Sequence, residues 1–278
     1  MKTPSGKLDV RLIALDLDDT LLNSERQITD FTVEMLQKCA DRGIYVVLCS
    51  GRAEDGILPF VRRLDIAGKE CGRYVIAING CSIFDMHQRL QIYAKSVDPE
   101  VLLYADEEAE KVGLRSEVYS PTTIFYREET EWTRKDVDLC GLKGEVVSDY
   151  RNFLETRKTP KMLIPGEPEK VQELQKTLKM NLGPKAEIFT SKPYFLEILP
   201  PLCGKGVAIQ HLAQHIGLRS DQTMCFGDSM NDENMFRLCK YGVAMCNGLD
   251  YIKNLASYVT EKDNNHDGVG DFIKKYVL

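Results

Sequence analysis

The chain has 278 residues, enough to bury a large core and to form two domains, and its 43% hydrophobic and 28% charged residues are ordinary for a soluble protein. Against 36 Lys and Arg stand 42 Asp and Glu, a formal charge of −6; that argues against a general nucleic-acid binder, which would usually carry a basic face. The longest strongly apolar, charge-free stretch, Tyr74–Phe84, has 11 residues, too few to cross a membrane.

Met1–Asp9 is short and polar and lacks the apolar core of a signal peptide. The chain then alternates strand and helix. Leu12–Leu15 reads as a strand, Asp30–Arg42 as a helix with Val33, Leu36 and Ala40 on one face and Gly43 as its stop. Ile44–Cys49 is a buried strand, followed by a helix to about Leu64 and a further strand at Tyr74–Ile78. Such alternation predicts a parallel sheet covered on both faces.

The middle reads differently, as mixed α+β. Ile83–Phe84 and Leu90–Tyr93 form a hairpin, and Pro99–Val112 is an amphipathic helix. Glu117–Tyr119, Thr122–Arg127, Met162–Ile164, Ile188–Thr190 and Tyr194–Leu199 are strand-like, and a helix carries Val171, Leu174 and Leu178. The first grammar then returns: helix Lys205–Ile216, strand Thr223–Phe226, helix Asn231–Cys239, short strands Gly242–Met245 and Tyr258–Thr260, and a closing helix Asp271–Tyr276. The expected class is therefore α/β, with a Rossmann-like parallel-sheet domain from residues 1–84 and 196–278 interrupted by an inserted α+β domain at 85–195, each boundary within about eight residues.

Polar clusters mark the C-terminal ends of the predicted parallel strands: Asp16-Leu17-Asp18-Asp19-Thr20, Ser50-Gly51-Arg52, Asn79-Gly80 and Gly227-Asp228-Ser229-Met230-Asn231-Asp232. Ligands of open α/β sheets bind outside those ends. Gly204-Lys205-Gly206 opens the helix that follows the insertion. Grouped carboxylates are tolerated where a cation sits among them or where one holds a proton. The chemistry this set suits is phosphoryl transfer, because a carboxylate can attack phosphorus and form an acyl phosphate. An anionic nucleophile meeting a phosphate dianion at ~3.5 Å and an effective dielectric of ~20 costs on the order of 9 kcal/mol before compensation. Asp16 and Asp228 offer carboxylates for magnesium, Lys205 a positive charge, and Ser50 with nearby amides hydrogen-bond donors.

These motifs, in this order and across the whole chain, resemble the phosphatases of the haloacid dehalogenase superfamily, and within them the Cof-type branch with a large α/β cap of the C2 type after the third core strand. The resemblance implies Asp16 as nucleophile and Asp18 as general acid, then base. It implies Mg²⁺ on Asp16, the Asp18 backbone carbonyl and Asp228, with Asp232 supporting that site. Thr20, Ser50, Lys205 and Asn231 would hold the phosphoryl group. Asp19 stands where many relatives have glycine, a familiar variant of this branch. The implied activity is Mg²⁺-dependent hydrolysis of a small phosphomonoester, a sugar phosphate or other phosphorylated metabolite, through an aspartyl phosphate.

A phosphomannomutase-like mutase shares this core and a similar cap, and is told apart by whether the phosphoryl group passes to water or to a second sugar hydroxyl. A phospho-acceptor signalling module also uses an aspartate, an acidic pair, a hydroxyl and a lysine, but is far shorter and carries no inserted cap. The partner expected is a small phosphorylated metabolite, with no nucleic acid and no membrane, for a monomer or small homo-oligomer. The nine scattered cysteines form no C-x-x-C and read as reduced core residues of a cytoplasmic protein.

His211 and His215 share a helix face but have no H-E-x-x-H context, and are read as structural. His266 is read as a loop residue, Trp132 and Tyr126 as packing in the insertion, and Lys158, Lys161 and Lys192 as solvated surface charges.

Overall fold

The computed structural model describes residues 2–278; Met1, the first residue of the polar N-terminal stretch, lies outside it. Two compact units emerge: residues 2–51, Ile57–Tyr93 and Gly204–Leu278 make the first, and Arg52–Gly56 with Ala94–Cys203 make the second. In chain order the first unit begins with β1 (Leu12–Leu15), α1 (Asp30–Asp41), β2 (Tyr45–Cys49), α2 (Glu54–Leu64), β3 (Tyr74–Ala77), β4 (Ser82–Asp85) and β5 (Leu90–Ala94). The second holds α3 (Pro99–Lys111), β6 (Glu117–Tyr119), β7 (Thr123–Tyr126), α4 (Glu131–Cys140), β8 (Lys143–Val146), α5 (Tyr150–Thr156), β9 (Met162–Pro165), α6 (Pro168–Leu182), β10 (Glu187–Lys192) and β11 (Phe195–Leu199). The first unit resumes with α7 (Lys205–His215), β12 (Thr223–Gly227), α8 (Glu233–Leu238), β13 (Tyr241–Ala244), α9 (Asp250–Leu255), β14 (Tyr258–Val259) and α10 (Gly268–Tyr276).

The first unit is built on one eight-stranded sheet in the order β14-β13-β12-β1-β2-β3-β4-β5. Strand β1 runs parallel to β2 and β12, with Leu15 level with Leu48 on one side and Phe226 on the other. All four residues of β1 are buried, as expected of a strand covered on both faces. On one face α7 and α8 pack Ile209, Leu212, Met235 and Phe236 against Leu12, Ala14, Val47 and Ile76. The hairpin of the sequence reading is β4 and β5, and it extends this sheet at its edge. Chain order reverses on either side of β1, so the C-terminal ends of β1 and β12 flank a topological switch point, where open sheets form their crevice.

The second unit carries a six-stranded sheet in the order β10-β11-β9-β6-β7-β8, antiparallel except for β7 and β8. Side chains alternate across it. Val118, Met162, Ile164, Leu196 and Ile198 face a core completed by Val101, Leu102, Leu154, Val171, Leu174 and Leu178 from α3, α5 and α6. Two helices absent from the sequence reading, α4 and α5, belong to this unit. Helix α4 starts at a capping box between Thr130 and Thr133 and stops at Gly141 with φ 66°.

Candidate active site

The site follows from strand register. Because β1 and β12 are paired neighbours, their next residues leave the sheet side by side, and the Asp16 amide donates to the Phe226 carbonyl at 3.1 Å. Asp16 is buried at the end of β1, and the turn Leu17–Leu21 carries Thr20 inward and leaves Asp18 and Asp19 exposed. Asp19 has φ 60°, a conformation that aspartate tolerates better than most residues and that glycine adopts freely. The Thr20 hydroxyl donates to Asp228 Oδ1 at 3.0 Å.

Lys205 enters from the first residue of α7. It is wholly buried, and its Nζ lies 2.5 Å from Asp16 Oδ1 and 2.6 Å from Asp232 Oδ1. The other Asp232 oxygen accepts from the Asp228 amide at 2.9 Å and the Ser229 amide at 3.2 Å, closing the loop after β12. The Ser229 hydroxyl donates to Asn231 Oδ1 at 2.7 Å. Ser50 is buried where β2 ends.

Asp16, Asp228 and Asp232 each present an oxygen, and these oxygens lie within 4.8 Å of one another. Burial first, then the Asp232 carboxylate, push the Asp16 carboxyl well above the usual carboxylate range, and Lys205 offsets this only in part. Burial and then Asp232 also push Asp228 up to about 7. Burial opposes the charge on Lys205, but Asp16 and Asp232 outweigh it and hold the ammonium above its ordinary value. Three carboxyl groups crowd one ammonium, and their hard oxygen donors converge on a site where a cation would let all three ionise. That donor set fits a divalent cation such as Mg²⁺.

A second residue trio, Ile78-Asn79-Gly80, closes the end of β3 with φ of 49°, 50° and 89°. A left-handed β-branched residue such as Ile78 is a true outlier, with a cost of order 1–3 kcal/mol. Sequence reading marked Asn79-Gly80 as a strand-end cluster but gave Asn79 no role. The side chain that Asn231 Nδ2 donates to, at 3.3 Å, is that of Asn79. Asn234 was also missed; its Oδ1 accepts from the Val207 amide at 2.9 Å, tying α8 to the first turn of α7.

The other candidates separate cleanly. His211 stacks on Tyr93 with ring centroids 4.7 Å apart and His215 meets Tyr74 edge-on at 6.1 Å, so both pack. His266 sits in an exposed loop, 2.6 Å from Asp263 Oδ1. Tyr126 is buried and Trp132 packs on Tyr194 at 5.7 Å, both inside the second unit. Lys158 and Lys192 are exposed. Lys161 corrects the sequence reading: it is buried, 3.5 Å from Glu197 and over the Tyr119 ring, because β11 brings that carboxylate across from a distant part of the chain. None of the nine cysteines is in a disulfide. Among the described residues no helix is long and apolar enough to cross a membrane.

The family model of haloacid dehalogenase-like hydrolases matches residues 13–273. The chain is 29% identical to the HMP-PP phosphatase of Serratia proteamaculans, over 88% of this chain and 87% of that one. It is 27% identical to the 5-amino-6-(5-phospho-D-ribitylamino)uracil phosphatase of Bacillus subtilis over the whole of both chains. Among solved structures, a haloacid dehalogenase-like hydrolase from Bacteroides thetaiotaomicron superposes with a TM-score of 0.86 at 30% identity, covering 95% of this chain and 98% of that one.

Proposed function

Because the chain belongs to the haloacid dehalogenase-like hydrolase family and is one of its phosphatases, we propose that it hydrolyses a small phosphorylated metabolite through an aspartyl phosphate on Asp16. The observation that carries this reading is the wholly buried Lys205 ammonium between Asp16 and Asp232, with Asp228 and Thr20 alongside. An Asp16 oxygen attacks phosphorus as the bond to the leaving oxygen breaks. Asp18, on the exposed lip of the same turn, gives that oxygen a proton. It then takes a proton from water, whose oxygen attacks phosphorus, releases inorganic phosphate and restores the Asp16 carboxylate.

Lys205, Thr20, Ser50 and Asn231 orient the phosphoryl oxygens, and Asp232 fixes the lysine and the Asp228 loop. Asp16, the Asp18 carbonyl and Asp228 are the residues to hold Mg²⁺. When bound, the ion supplies the charge neutralisation that lets an anionic nucleophile meet a phosphate dianion. The two relatives named above act on phosphorylated small molecules, and this supports the same substrate class here. The inserted unit is the proposed selector of the leaving group.

The test is a phosphate-release screen over phosphorylated metabolites with Mg²⁺, ranked by kcat/KM, run beside Asp16→Asn. The isosteric amide is a poor nucleophile, so turnover should vanish in a variant that still folds. A folded Asp16→Asn retaining more than about a few per cent of kcat would exclude Asp16 as nucleophile.

A further inference from the structure

Asn79 is almost fully buried, at 2% exposure, and its backbone amide donates to the Ser50 carbonyl at 3.0 Å. Its side chain fills the space where Gly51 has none: a Cβ on Gly51 would stand 2.9 Å from Asn79 Oδ1 and 3.2 Å from Nδ2. Its Oδ1 accepts from Asn231 Nδ2. The next residue, Gly80, lies against the entry to α7, where a Cβ would fall 2.3 Å from the Gly204 carbonyl oxygen. One left-handed turn therefore touches three of the segments assigned to the phosphoryl group: the Ser50-Gly51 loop, the Asn231 loop and the backbone that delivers Lys205.

We propose that Asn79 is a positioning residue of the phosphatase reaction, acting through Asn231 and the Ser50-Gly51 loop. This rests on the assignment of those groups under the proposed function. An asparagine amide carries two N–H donors and an oxygen acceptor. The Asn231 oxygen is taken by the Ser229 hydroxyl and one N–H by Asn79, so the amide is held at both ends with its second N–H left to donate. Asn79 thereby fixes which way Asn231 donates, and its wedge against Gly51 fixes the height of the Ser50 loop. The left-handed backbone is what brings that side chain back into the crevice at the end of β3.

The experiment measures competitive inhibition by inorganic phosphate, KM and kcat for p-nitrophenyl phosphate with Mg²⁺, and Tm. Asn79→Gly keeps the left-handed backbone conformation available and deletes the whole side chain with its amide. The phosphate inhibition constant should rise about tenfold, the size of one lost hydrogen-bond arrangement. A merely structural role would lower Tm or the active fraction and leave that constant unchanged. Combined with Asn231→Ala, Asn79→Gly should add less than it costs alone, because the route through Asn231 is already gone and only the one through the Ser50-Gly51 loop is left.

Gly51→Ala approaches from the other side. Alone it should raise the phosphate constant by displacing the Asn79 side chain, and Asn79→Gly should absorb the clash, so the double variant is no worse than Asn79→Gly. If Asn79→Gly does not fold, a wild-type phosphate constant in Gly51→Ala overturns the proposal. So does a wild-type constant in folded Asn79→Gly, or full additivity with Asn231→Ala. Failure of the site reading is distinguishable, since it shows as retained turnover in Asp16→Asn, whereas a dead Asp16→Asn beside a normal Asn79→Gly removes only the role of Asn79.

Discussion

Asp16 and Asp18 are two positions apart, yet one is buried against Lys205 and the other is exposed on the turn. That difference in surroundings fits a division of labour between attack and proton transfer. Asp18→Asn should lower kcat/KM by ~10²–10⁴-fold for an alkyl phosphate, the usual weight of general acid–base catalysis, and by much less for p-nitrophenyl phosphate, whose leaving group needs little protonation. Matched kinetics on the two esters check this, and equal losses would remove the acid role. At this scale much is legible in the sequence, since the strand-end motifs gather Asp16, Thr20, Asp228 and Asp232 at one edge of the sheet and the helix opening at Gly204 adds Lys205. Asn79 is not legible as a working residue, because its contacts depend on a left-handed backbone that the dipeptide Asn-Gly suggests only as a turn.

Among the elements, β1, β2, β3 and β12 are readable because each is a short apolar run ended by a polar cluster, and α1 because Val33, Leu36 and Ala40 form a clear stripe that Gly43 stops. Helix α4 escapes because its buried residues are polar: Thr133 and Asp136 are buried, while Trp132, Val137 and Leu139 are only partly so. Its Asp136 meets Glu117 and Tyr119 on the face of β6 opposite Val118, with Cys140 of α4 and Lys161 beside β9 completing the cluster. Neither oxygen of the wholly buried Glu117 receives a donor. Burial first, then the Asp136 carboxylate beside it, hold Glu117 well above the usual carboxylate range, against a smaller opposing pull from Lys161.

The folded state thus keeps a proton there that the unfolded chain has released, so this group makes stability fall as pH rises above the ordinary glutamate pKa near 4.5. Glu117→Gln should abolish that loss. In urea melts the variant should gain more over wild type at pH 8 than at pH 5, and an equal or opposite change would show that Glu117 is charged in the fold.

For the whole molecule, the decisive fact is that the candidate metal ligands come from opposite ends of the chain, about 210 residues apart, and meet only through the pairing of β1 with β12. A cation held by both would bind the folded state and not the unfolded one, which raises stability by about 2.7 kcal/mol at a hundred times its Kd. Mg²⁺ should therefore raise Tm in a dose-dependent way, and Asp228→Asn should blunt the rise whatever it does to turnover. Scanning fluorimetry in EDTA and at graded Mg²⁺ checks this; an unchanged Tm in wild type would speak against a metal shared by Asp16 and Asp228. Excess EDTA should also stop phosphate release.

The same pairing sets a timetable for synthesis. At about 5–20 residues per second, a ribosome that has made β1 needs some 10–40 s more to deliver β12. For that interval the β1 edge that will receive β12 stays open in the nascent chain, with Leu12–Leu15 uncovered on that side. The strand that ends in the proposed nucleophile is therefore also an edge that a chaperone would shield while the chain is being made. A chain stalled before residue 223 would have its first carboxylate, no counterpart for it, and a sticky edge.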